Sequence, residues 1–161
     1  MNTLGTFHLL AAGLALGAGA SVAIARKGTL RHRWTGRVYL FAMLMLNVSA
    51  LALYRLTGSF NLFHFFALVS LATLLAGWLP AWRKRGEWKP WHARFMMWSY
   101  AGLLMAAVSE IATRLPFVHG WTRFGIAVGV ATTVVAAISA FYIERAARPL
   151  DGRKINLENV Q

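Results

Sequence analysis

Apolar residues in this chain gather into long uninterrupted runs. Five windows of about 20 residues stand out, each long enough to cross about 30 Å of hydrocarbon as a helix. They cover about 4–25, 36–56, 61–80, 93–114 and 122–143. The pattern predicts an all-α integral membrane protein: a five-transmembrane-helix bundle over 1–144, followed by a polar tail over 145–161. The first window carries no charge, and Lys and Arg are missing from Met1 to Phe7, where a cleaved signal peptide would have them. Its charges, Arg26 and Lys27, follow the apolar run, which predicts a retained helix with its N-terminus outside.

The polar positions between the windows set the topology. Arg26, Lys27, Arg31, Arg33 and Arg37 lie between the first two windows. Arg83, Lys84, Arg85, Lys89 and Arg94 lie between the third and fourth, and Arg145, Arg148, Arg153 and Lys154 follow the fifth. Of the 17 basic residues, only Arg55, Arg114 and Arg123 fall at the opposite ends. Short loops rich in Lys and Arg face the cytoplasm, so the reading is N-terminus outside and C-terminus cytoplasmic. Trp34, Trp78, Trp82, Trp88 and Trp91 cluster at the same boundary as an aromatic belt.

Composition then removes several functions. A net charge of +12 would suggest a nucleic-acid partner in a soluble protein, but charged residues are only 14% of a chain that is 58% hydrophobic. The cations flank membrane ends, where attraction to anionic lipid is worth about 1 kcal/mol each. The expected surroundings are therefore a bilayer with anionic lipids at the cytoplasmic face, and no nucleic acid. The absence of cysteine excludes disulfides, thiolate catalysis and Cys-based zinc or iron–sulfur sites. Small residues on span one, including the pair Gly13 and Gly17, and on spans four and five predict close internal seams.

Ionisable groups at membrane depth are costly and so carry information. His8, His64 and Glu110 each lie about one turn inside the outer surface, on three different helices. Three readings fit. Two His and a Glu are a ligand set for catalytic zinc, with a fourth position left for water. Alternatively, His8 and His64 are the two axial ligands of a b-type haem. In the third, no cofactor is bound: Glu110 pairs with Arg114 four residues on, and the histidines hydrogen-bond within the bundle, to Asn47, Ser49 or Tyr54. Asn47 shares its helix face with Leu51, Tyr54 and Arg55 and is expected to help orient an outer-site residue. At the inner surface His32 precedes span two and His92 opens span four, flanked by Arg31, Arg33 and Arg94. They read either as a second haem pair with arginines on its propionates or as interfacial histidines among lipid phosphates. His119 lies in the outer loop and is expected to be solvated.

The histidines thus alternate, helices one and three outside and two and four inside. That pattern resembles the cytochrome b561 type of di-haem membrane protein, although such proteins have six spans. A closer resemblance rests on three stretches. These are Lys27-Gly28-Thr29 through His32-Arg33 to Gly36-Arg37-Val38-Tyr39; Tyr54-Arg55-Leu56-Thr57-Gly58; and His92, Phe95-Met96 and Trp98-Ser99-Tyr100 through Glu110 to Arg114. They are similar to a bacterial membrane-protein family designated domain of unknown function 2306. The resemblance implies a small polytopic membrane protein and marks His32, His64, His92, Glu110 and Arg114 as typical positions. It brings no established activity. Three functions stay open: a b-haem redox protein, a zinc-dependent membrane hydrolase, and a non-catalytic accessory or assembly subunit that meets a partner or a second copy. A transporter is disfavoured, because nothing suggests inverted repeats or broken helices.

Overall fold

The computed structural model describes residues 3–53 and 58–158, with side chains described no further than residue 146. Tyr54 and Arg55 lie outside the described residues, so neither is placed at a site. Among the described residues there are five helices and no strand. They are α1 (Thr3–Ile24), α2 (Leu30–Leu51), α3 (Leu62–Arg83), α4 (Trp88–Ala112) and α5 (Gly120–Glu158). All five are long and apolar enough to cross a membrane, α5 through its segment Gly120–Ala146. Large apolar side chains such as Leu10, Phe41, Phe65, Ile111 and Ile126 are exposed. Hydrocarbon is the solvent such a surface suits, and a helix is the element that satisfies its own backbone there.

The helix starts differ from the apolar windows. α2 begins at Leu30 rather than 36, and α4 at Trp88 rather than 93. The windows track hydropathy, whereas both helices extend into the basic loops; α4 does so after Glu87 with no side-chain cap, and α2 after a capping residue. For α2 that cap is Thr29, whose side chain accepts from the His32 N–H at 3.3 Å. His32 therefore belongs to the first turn of α2 rather than preceding it. α5 continues past 143 to Glu158, through residues such as Glu144, Arg145 and Ala146 that favour helix wherever the solvent is.

The chain divides into two units, Met1–Trp78 and Leu79–Gln161. In the first, α1 and α2 form an antiparallel hairpin. Ala11, Ala15, Ala18 and Gly19 are buried on α1, and Tyr39, Ala42, Met43, Asn47 and Ser49 on α2. Gly13 and Gly17, expected in this seam, are exposed instead, because the alanine stripe already provides the close approach. On α3, the buried residues His64, Ala67, Leu74 and Gly77 share one face. In the second unit α4 packs on α5. Ala101, Leu103 and Ser109 are buried on α4, and Ala131 and Ile143 on α5, while Gly125 and Gly129 are exposed.

Candidate functional site

The turn between α1 and α2 uses most of the Lys27–Arg33 stretch for structure. Lys27 Nζ donates to the carbonyls of Val22 and Ala23 at 2.9 and 3.0 Å, capping α1 at its negative end. Partial burial there pushes the Lys27 ammonium below its ordinary pKa. Gly28 then takes φ +80°, a left-handed conformation that side chains disfavour. Thr29 Oγ1 donates to the Arg26 carbonyl at 2.7 Å while capping α2. Arg33 closes the turn, its Nε and Nη2 donating to the Gly28 carbonyl at 3.3 and 3.2 Å. Arg33 is thus occupied by the chain itself rather than aimed at a ligand.

At the far end of the hairpin, His8 of α1 meets Ser49 of α2, with Nδ1 and Oγ 2.9 Å apart. The same hydroxyl donates to the Leu46 carbonyl at 2.9 Å. Its one proton is therefore spent, and it accepts from His8 Nδ1–H. Asn47, expected to orient an outer residue, is buried but donates to the Met43 carbonyl of its own helix at 2.8 Å. The orienting residue is Ser49, one of the hydrogen-bond partners the sequence offered.

His64, also in the first unit, is 1% exposed. It sits in a capping arrangement at the start of α3. Asn61 Oδ1 accepts from the Phe63 N–H at 2.9 Å, and the Asn61 N–H donates to His64 Nδ1 at 3.3 Å. This is the reciprocal logic of a capping box, with histidine in the position usually held by Glu or Gln. The Phe60 ring packs on the imidazole at 5.3 Å. Because His64 Nδ1 accepts, a neutral ring carries its proton on Nε2. The two histidines thus hold opposite tautomers. Sequence reasoning missed Asn61, although Asn-x-x-His before an apolar run was the visible signal.

Glu110 and Arg114 belong to the second unit. Arg114 Nε donates to Glu110 Oε1 at 3.1 Å, and its Nη2 forms an ion pair with the same oxygen. The Glu110 side chain is 62% exposed and that of Arg114 75%. The hydrogen bond and charge of Glu110 hold the Arg114 guanidinium still further above its ordinary range. This is the i,i+4 pair that was one of the alternatives. Among the described residues no three His, Asp or Glu side chains form a group able to hold a metal ion, so the zinc reading has no assembled ligand set there. His32 lies half-buried in the first unit, and His92 lies in the second beside Trp88, ring centres 6.1 Å apart. His119 is exposed.

Five helices of this length and hydropathy define a polytopic α-helical membrane protein. A family model described as a predicted membrane protein, DUF2306, matches residues 5–146, and the chain belongs to that family. No curated protein and no solved structure matches it.

Proposed function

We propose that the protein is a small membrane-embedded redox protein that holds a b-type haem between His8 and His64. The observation that carries this reading is the Ser49 contact, which holds the His8 ring through Nδ1 and so fixes its orientation in the α1–α2 seam. His64 fits less directly. To hold the group, His64 would have to give up the Asn61 N–H to its Nδ1, a long bond at 3.3 Å and therefore a weak one. The haem would supply one-electron chemistry; the chain supplies orientation and an apolar surround. The proposal is confined to the first unit. His32 and His92, the zinc set with Glu110, and an arginine clamp that would need Arg33 are not carried into it. The same reading places the basic loops and the C-terminus in the cytoplasm of a bacterium, with the chain in its inner membrane.

The test is a visible spectrum of the purified protein, oxidised and dithionite-reduced, with metal analysis of the same sample. The expected result is a reduced b-type band that disappears in His8→Ala and in His64→Ala, and that survives with weaker haem retention in Ser49→Ala. A colourless, fully helical sample, with or without zinc, overturns the haem reading. Topology is tested separately: the chain has no cysteine, so single cysteines placed at Arg26 and at His119 report sidedness by impermeant labelling. A second reading, an accessory subunit of a larger membrane complex, is favoured by the outward-facing Glu110–Arg114 pair. It predicts the colourless sample and a co-purifying membrane protein.

A further inference from the structure

A groove of about 390 Å³ runs along the α1–α2 hairpin, between Gly13, Gly17 and Ser21 on α1 and Trp34, Thr35 and Val38 on α2. It extends over about 12 Å of helix. Its walls are apolar in effect, because both hydroxyl protons are spent within their own helices. Ser21 Oγ donates to the Gly17 carbonyl at 2.9 Å, and Thr35 Oγ1 to the Arg31 carbonyl at 2.8 Å. A slot of this kind suits a hydrocarbon chain better than a polar ligand.

The mouth of the groove is cationic. Arg31 stands one turn before Trp34 and Thr35 on the same stripe of α2, and the Arg37 guanidinium lies 5.1 Å over the Trp34 ring. Of the five cations at this end, Lys27 and Arg33 are held by backbone carbonyls of the turn. All five are exposed, and Arg26, Arg31 and Arg37 lie outside those turn bonds. The first acidic residue in the chain is Glu87, so the whole first unit offers no carboxylate to neutralise them. A second copy docked two-fold on this groove would set like charges against each other. A single anionic amphiphile meets both demands.

We propose that this groove is a specific site for one anionic phospholipid, with an acyl chain along Gly13 and Gly17 and the phosphate on Arg31 and Arg37. The site sharpens the general expectation of anionic lipid at the basic end, and so rests on that reading rather than on the haem. Arginine and a lipid phosphate form charge-assisted hydrogen bonds, and the Trp34 ring belongs at the headgroup level. A Cβ at Gly13 or Gly17 would meet nothing within 4 Å, so side chains at these positions project into the groove rather than into the hairpin backbone.

The test is native mass spectrometry of the full chain in detergent, with phosphatidylglycerol or phosphatidylcholine added. Wild type is expected to retain one phosphatidylglycerol and to release phosphatidylcholine. The double variant Arg31→Gln/Arg37→Gln should weaken retention about thirtyfold, and Gly13→Leu/Gly17→Leu should abolish it. Arg26→Gln, outside the stripe, should change it little. Equal retention of the two lipids overturns the proposal, as does unchanged retention in the double arginine variant. An equal loss in Arg26→Gln and in either single arginine variant also overturns it, and leaves the diffuse attraction of a basic surface intact. If the leucine variant fails to fold, the arginine comparison decides alone. Because detergent has no sides, a wrong membrane orientation does not affect the outcome.

Discussion

The two helical hairpins are built alike and treat their polar residues in opposite ways. In both, an antiparallel pair is cross-linked by hydroxyl chemistry near the end away from the basic loops. In α1–α2 the link is His8 to Ser49 at 2.9 Å. In α4–α5 it is Ser109 to Thr132 at 3.3 Å. The first hairpin turns its ionisable residue toward the neighbouring helix, whereas the second turns Glu110 and Arg114 outward. Their grooves differ in the same sense. The second hairpin carries an apolar cavity of about 470 Å³, whose lining residue Arg123 donates to the Phe117 carbonyl. The first has a basic mouth with no carboxylate in its unit. Membrane depth alone therefore does not decide what a polar residue contacts; which way its side chain turns does.

The turn of the first hairpin offers the sharpest break. Gly28→Val forces a β-branched residue into the left-handed region, at a cost of about 1–3 kcal/mol. It also shifts the carbonyl that Arg33 grips. Equilibrium unfolding in detergent–SDS mixtures should show a loss of this size, and Thr29→Ala should show less. If Gly28→Val unfolds like wild type, the Lys27–Arg33 stretch is not primarily structural, and its place in the family pattern needs another explanation.

The two cross-links come next. Ser49→Ala removes the acceptor of His8 Nδ1–H in a part-buried seam, which should cost about 1–2 kcal/mol. Ser109→Ala breaks a longer hydroxyl pair and should cost about 0.5 kcal/mol, the usual scale for interhelical bonds in membranes. Measured side by side in the same unfolding assay, the two should differ clearly. Equal values would mean that the histidine adds nothing to the first seam.

Much of this architecture is legible in sequence because lipid imposes a simple rule: a span must be apolar and must satisfy its own backbone. All five helices follow from that rule, as does the Glu110–Arg114 pair, which needs only helical spacing. Helix starts do not follow from it: α2 opens after Thr29 and α3 after Asn61, single capping residues beside apolar runs, and α4 opens at Trp88 with no side-chain cap. That is why His32 precedes the apolar window and yet lies in the first turn of α2. The choice of seam was also hidden. Gly13 and Ala15 are both small, and only the rotation of α1 against α2 decides which of them is buried. The tautomers of His8 and His64 depend on partners 41 and 3 positions away, respectively. No local pattern reports the first of these.

The smallest expected effect tests the outward-facing half of the contrast. Glu110→Gln removes the charge that Arg114 contacts, but the guanidinium stays ionised with or without it, and both side chains are largely exposed. An exposed i,i+4 pair of this kind contributes little to stability. Purified Glu110→Gln and Arg114→Gln should therefore unfold indistinguishably from wild type, and added salt should not separate them. A loss as large as that of Ser49→Ala would show that Glu110 is held by more than its helical neighbour, and the contrast between the hairpins would collapse. Wild-type behaviour in detergent combined with reduced abundance in native membranes would instead locate the missing contact on a partner protein. It would turn the outward charge pair from a solvated end of α4 into a docking element.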